Sequence, residues 1–272
     1  MIALLAARDV AASSLAGDWH VTAAPVVFAA CALGLFARAF VRVRRRQRED
    51  APARRAVLYA AGVAVMTVPL VSPLNAAAER YLLSAHMLEH VLLADAGPAV
   101  LVLAVRGPLA RELARVLPGA RLLRPPALTV AAWVAVIGVW HLPALYDRAL
   151  THAWVHDLEH LSFVAVGLLV WVQMIDPSGS GRMGLSGRIA FTVAVFFAGQ
   201  VLSDALVFSF RAYYPAYADQ PARLAGISPL ADQRLAGIVM ALEQLLTLGT
   251  CFVVLLRRIR RSGEIRRNYR VA

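Results

Sequence analysis

A chain of 272 residues, 60% of them hydrophobic and only 17% charged, is too apolar for an ordinary soluble domain, where about half the residues are apolar and about a quarter charged. Its formal net charge of +11 rests on arginine alone, because the sequence has no lysine; the arginines follow the apolar runs in a pattern that excludes nucleic acid as the partner they serve. Two isolated cysteines, Cys31 and Cys251, exclude a Cys-x-x-Cys site and read as small buried apolar residues.

The N-terminal stretch MIALLAARDVAASS lacks a charged leading region and predicts no cleaved signal peptide. Seven apolar runs then follow, at roughly 21–41, 56–75, 81–105, 127–146, 153–175, 188–210 and 233–256. Each is near the ~20 residues that cross a bilayer as a helix. The expected fold is all-α: one integral membrane domain over 1–272, built as a bundle of seven transmembrane helices.

Between the first two runs, RVRRRQREDAPARR (42–55) reads as a solvated turn. After the third run, LARELARVLPGARLLR (109–124) alternates apolar and arginine positions at helical spacing, as an amphipathic segment on a lipid surface does. The loop 211–232 is rich in Pro and Tyr, which suits a membrane interface. Twenty-two of the 28 basic residues follow runs one, three, five and seven; Arg8, Arg80, Arg148, Arg211, Arg223 and Arg234 fall on the other side. The positive-inside rule then places the N-terminus outside and the C-terminus in the cytoplasm.

That orientation gives every histidine a depth. His86 and His90 sit near the outer end of run three, His141 near the outer end of run four, and His156 and His160 in the first two turns of run five. His20 and His152 lie just outside runs one and five, so all seven histidines occupy the outer half or the space above it. His86 and His90 are four residues apart and share a helix face; His152, His156 and His160 do the same. Gln200, Asp204, Met240, Glu243 and Gln244 join this level from runs six and seven. Polar groups at such depth are tolerable only facing the bundle interior, so the pattern predicts an outward-opening polar pocket.

Imidazoles suit copper, zinc and iron, and a thioether favours Cu(I). The expected ligands are His86, His90, His156 and His160, followed by His141 and Met240. Glu89 and Glu159, each one residue before a histidine, are expected to point away by about 100° into supporting or packing roles. His-x-x-Glu-His also marks zinc peptidases, but it occurs twice here, in HMLEH (86–90) and HDLEH (156–160), without a peptidase scaffold around it. The two copies belong to a weak repeat with an offset of 70 that also pairs Pro73 with Pro143 and Gly97 with Gly167.

AHMLEHVLLADAGPAVLVLAVRGP (85–108), WHLPALYDRAL (140–150), VHDLEHLSFVAVGLLVW (155–171) and DQRLAGIVM (232–240) together resemble the CtaG family of cytochrome c oxidase assembly factors. The likeness is to the multi-spanning kind, not to the single-span copper chaperone of the same name, and it covers most of 20–256. It implies a non-enzymatic, multi-pass protein of the bacterial plasma membrane, surrounded by membrane lipid. Such a protein would meet cytochrome c oxidase subunits and supply copper to them. The family's histidine pairs fall on His86 and His90 and on His156 and His160, and its lone histidine on His141. After Met240 the chain departs from the family, reading Ala241-Leu242-Glu243-Gln244 in place of Trp and a Gly-rich turn. The alternative on the same histidines is a haem-binding membrane protein, either a cytochrome or a haem-modifying enzyme.

Overall fold

The computed structural model describes residues 8–115, 125–180 and 182–271, with side chains from Asp9 through Arg261. Among the described residues, five helices are long and apolar enough to cross a membrane. These are α1 (Ala23–Arg46), the segment Leu83–Ala104, α9 (Ala153–Ile175), α10 (Leu185–Val207), and the first 33 residues of α12 (Pro229–Val271). A sixth arises if α7 (Pro126–Trp140) and α8 (Pro143–Thr151), bent by 71°, count as one broken span. The run expected at 56–75 also comes out in pieces: α2 (Ala53–Thr67), a 3-10 turn at Pro69–Val71, and α3 (Pro73–Arg80).

Proline accounts for these breaks. It has no N–H to give the preceding turn and its ring crowds that turn's carbonyl. Pro69 and Pro73 stand at the starts of the pieces that follow α2, and Pro143 opens α8 after His141 has left helical geometry. Ser72 caps α3, its Oγ accepting the Leu74 N–H at 3.2 Å. At 15 residues α2 rises only about 22 Å, short of the ~30 Å hydrocarbon layer, and it needs the pieces after it to gain length.

The helix ends sort onto two faces. On one, Arg42 of α1 pairs with Glu112 of α6 (Pro108–Ala114) at 2.9 Å, and Arg55 donates to the Arg106 carbonyl at 2.9 Å. The Gly107 N–H reaches the Pro177 carbonyl at 2.7 Å, and Arg188 pairs with Asp176 at 2.8 Å. Gly107 turns the chain into α6 with φ +56°, a conformation that glycine adopts without strain. Opposite lie the Arg80–Asp18 pair (2.7 Å) and Asp232 of α12, which accepts the Leu83 N–H at 2.6 Å. A parallel pair of short strands, β1 (Arg8–Val10) and β2 (Ala222–Leu224), lies near this end in an otherwise helical chain. The arginine-rich ends thus share one face. The Arg42 guanidinium beside Glu112 holds that half-buried carboxyl below its ordinary range.

The centre belongs to Leu83–Ala104, the most buried of the long helices. It consists of α4 (Leu83–Val91), a π turn (Leu92–Ala96) and α5 (Gly97–Ala104). Pro98 cannot donate to the carbonyl four residues back, that of Ala94, and the helix widens there. Gly167 of α9 packs against that same carbonyl, where a Cβ would collide with it. α1 lies at the rim, and Cys31 on it is exposed, against the expectation of burial, because nothing covers that side of the helix. Cys251 is half-buried. Of the amphipathic stretch 109–124, the described part falls in and just after α6, with Leu109 and Ala110 buried and Arg111 and Arg115 directed outward; 116–124 lie outside the described residues.

Candidate metal centre

Four-residue spacing on two facing helices does what the sequence led one to expect. His86 and His90 rise from one face of α4 and meet at 2.8 Å, Nε2 to Nε2. His156 and His160 rise from one face of α9, their ring centroids 4.1 Å apart. Across the interface, His86 lies 5.4 Å from His156, and His90 5.6 Å from His160, centroid to centroid. His90 also lies 6.2 Å from His141, which stands where α7 ends. His86, His90 and His141 are buried, while His156 and His160 are half-buried.

One side-chain atom from each of His86, His90, Glu159 and His160 falls within 4.8 Å of the others. Glu159 is therefore a correction to the sequence reading. It was expected to point off the ligand face; instead it is fully buried, with Oε1 3.6 Å from His90 Nε2. The pocket lies between two helices, so a residue 100° from His160 on α9 still faces α4. Glu89 is also fully buried, but it stands outside this four-atom group. Of the other expected ligands, His156 and His141 stand beside this four-atom group without joining it, and the last two histidines lie away from it. His20 pairs with Asp18 ahead of α1, and His152, exposed ahead of α9, contacts Thr151 Oγ1 at 2.9 Å.

Hydrogen bonds prepare the nitrogens. His141 Nδ1–H donates to the Ile137 carbonyl at 2.8 Å, which leaves Nε2 with its lone pair, 3.3 Å from the Met87 sulfur. The Tyr217 hydroxyl comes from α11 (Pro215–Ala218), in the loop between α10 and α12. Burial pushes its phenol well above the ordinary value, so it keeps its proton. It spends that proton on the Ala78 carbonyl (2.7 Å) and can then accept from Tyr146 (3.1 Å) and His86 Nδ1–H (3.3 Å). His86 Nε2 is thereby left bare as well.

Other polar atoms in the pocket have no partner. His90 Nδ1, His156 Nε2, His160 Nε2 and both oxygens of Glu159 are buried without a hydrogen bond. Native proteins rarely leave buried polar atoms so, and a cation among them would satisfy several at once. Two nitrogens 2.8 Å apart subtend roughly 90° at an ion ~2.0–2.1 Å from each, the usual metal–imidazole distance. The donor set fits a small cation.

Met240 is placed differently from the histidines. It packs with Leu83, Met87, Tyr146 and Leu206 and reaches the wall of a cavity of about 40 Å³ that His90 and His141 also line. The thioether against an imidazole nitrogen is that of Met87, which the sequence reading passed over although it sits inside HMLEH itself. Tyr217 and Tyr146 were missed as well; the Tyr-rich loop 211–232 was the available signal for Tyr217, while Tyr146 sits in α8.

The family model for the cytochrome c oxidase caa3 assembly factor matches residues 34–262. No curated protein and no solved structure matches the chain.

Proposed function

The chain belongs to the caa3-type cytochrome c oxidase assembly factors, and from that premise we propose that it holds copper at the histidine cluster and passes it to an oxidase subunit. The observation that carries this reading is the buried set His86, His90, Glu159 and His160, with ligand atoms inside 4.8 Å and several of them unpartnered. His156 stands beside it, 4.1 Å from His160, as the ligand nearer the outer end of α9. His141 with the Met87 sulfur adds an imidazole–thioether pair, which favours copper in its reduced state. Met240 serves as wall rather than ligand. The protein acts by binding and release, not by catalysis.

The bundle crosses the bacterial plasma membrane seven times, with its N-terminus outside. The α2-to-α3 pieces and the bent α7–α8 pair each supply one crossing. In support, Arg55 at the start of α2 and Arg80 at the end of α3 bond to opposite faces, and the arginine-rich ends gather on one of them. The metal is cargo here: oxygen- and nitrogen-bound by few ligands, it can leave by ligand exchange. A macrocycle fits poorly, since the cavity beside the cluster holds about 40 Å³ whereas pockets for organic ligands run to several hundred.

Metal analysis of the purified protein decides the matter. Copper in the wild type, lost in the His86→Ala/His90→Ala protein, supports the site; a Soret band, or equal copper in both, would refute it.

A further inference from the structure

Below the histidines, the same cavity is walled by a second polar group set that copper binding does not use. Asp95, in the π turn, accepts Trp171 Nε1–H at 2.6 Å and the Thr247 hydroxyl at 2.9 Å. Glu243 of α12 lines the cavity with it, and both of its carboxyl oxygens are buried without a donor. Gln244 is only 6% exposed, and its Oε1 is likewise unpartnered on the same wall. The π turn itself brings Asp95 to this position: π turns gather at functional sites.

Charge decides what this pair can be. Asp95 and Glu243 interact across one wall of the cavity; two neighbouring carboxylates in a low-dielectric interior cannot both stay ionised, and among the described residues no arginine lines the cavity. Asp95 has donors for both oxygens, as a carboxylate requires. Glu243 has none, as suits the partner that carries a hydrogen. Thr247 cannot serve both, because its one hydrogen is shared between Asp95 and the Glu243 backbone carbonyl at 3.0 Å. Room for two or three waters in the cavity joins this pair to His90 and His141.

We propose that Asp95 and Glu243 hold one proton between them and release it when a cation occupies the histidine cluster. This rests on the copper reading above for the cation, but not for the pair. The balance is one positive charge in and one out, so the membrane interior gains no net charge. The proton leaves Glu243 Oε through the cavity waters. The groups that face the pair are Thr247, Gln244 and Cys251 from α12, Trp171 from α9, His90 from α4 and His141 from α7; α10 contributes Val195 and Gly199, neither titratable. The histidines enter neutral and leave neutral, so the proton comes from a carboxyl. Glu159 is a further carboxyl, inside the cluster itself, and a Glu159→Gln control separates any proton it releases from that of the pair.

The test uses the full-length protein in lipid nanodiscs. Infrared spectra of the metal-free protein should show a protonated-carboxyl band in the wild type that Glu243→Gln removes. Cu(I) titrated in weak buffer with an indicator dye should release one proton per ion bound from the wild type and none from Glu243→Gln or Asp95→Asn, both of which still bind copper at the histidines. An unchanged infrared band in Glu243→Gln would overturn the pair. So would equal proton release from wild type and variants, or Na⁺ in place of the proton, seen as a Na⁺-dependent loss of the band's pH response. Should the wild type bind no copper, the exchange falls together with the copper reading, and the infrared difference alone then decides the proton-holding pair.

Discussion

Gly167 of α9 lies against the Ala94 carbonyl of the π turn so closely that a Cβ at residue 167 would strike the carbonyl oxygen and carbon. The carbonyl is there because Pro98 gave it no N–H, and the glycine is what lets α9 approach the widened helix. The spacing of the two histidine pairs depends on that approach.

Gly167→Ala should therefore push α9 away from α4 and cost about 1–3 kcal/mol of stability, as overpacking does. Metal occupancy should fall with it. Gly138→Ala in α7 is the control, since a Cβ there meets nothing within 4 Å. Thermal unfolding and copper content of the two purified variants provide the comparison; equal behaviour would show that the close approach carries no constraint.

His86→Ala with His90→Ala should leave the protein inserted, because the span becomes more apolar, yet abolish copper binding and the maturation of the oxidase. Glu159→Gln should weaken binding, as its carboxylate faces His90 at 3.6 Å. Glu89→Gln should do little beyond local packing. A peptidase would behave in the reverse order, losing everything with its glutamate. Oxidase activity and copper content in membranes read the series.

Tyr217→Phe should remove the acceptor that holds His86 Nδ1–H and lower copper affinity about 10–100-fold, the usual effect of losing such a partner. The same phenol gives a pH dependence. Its value is raised in the folded protein, so its contribution is complete below the ordinary value of about 10 and is lost as pH climbs beyond that. Alkaline unfolding curves should show the wild type losing stability above about pH 10 and Tyr217→Phe losing less.

Reporter fusions in the 42–55 turn and in the 211–232 loop should report opposite sides of the membrane. The arginine-rich ends packed around Arg42, Arg55 and Arg188 demand it under the positive-inside rule. Identical sidedness from both fusions would remove the seven-crossing topology and the outer placement of the histidines with it.

Hydropathy made the bundle legible and left its breaks invisible. A window of apolar residues runs straight through Pro69 and past His141, although the α-helix gives way to a 3-10 turn at the first and ends at the second. The repeat was better than it looked in sequence: Pro73 and Pro143 each open a short helix, and Leu83 and Ala153, each ten residues later, open the two histidine-bearing ones. Helical periodicity put the histidine pairs on single faces, which needs only one helix at a time. Which thioether meets His141, and which way Glu159 turns, depends on how two helices dock, and spacing along one chain holds no record of that.

The Tyr217 hydroxyl binds the Ala78 carbonyl, Tyr146 and His86 at once. Lifting the loop between α10 and α12 would therefore open the roof over His86 and free its Nδ1 in the same motion. How long a bound ion stayed and how tightly it was held, quantities that most binding sites set with different atoms, would then hang on one oxygen. A partner that pulled on that loop would shorten the residence time and weaken the grip together, so delivery would be timed by docking rather than by competition for the metal.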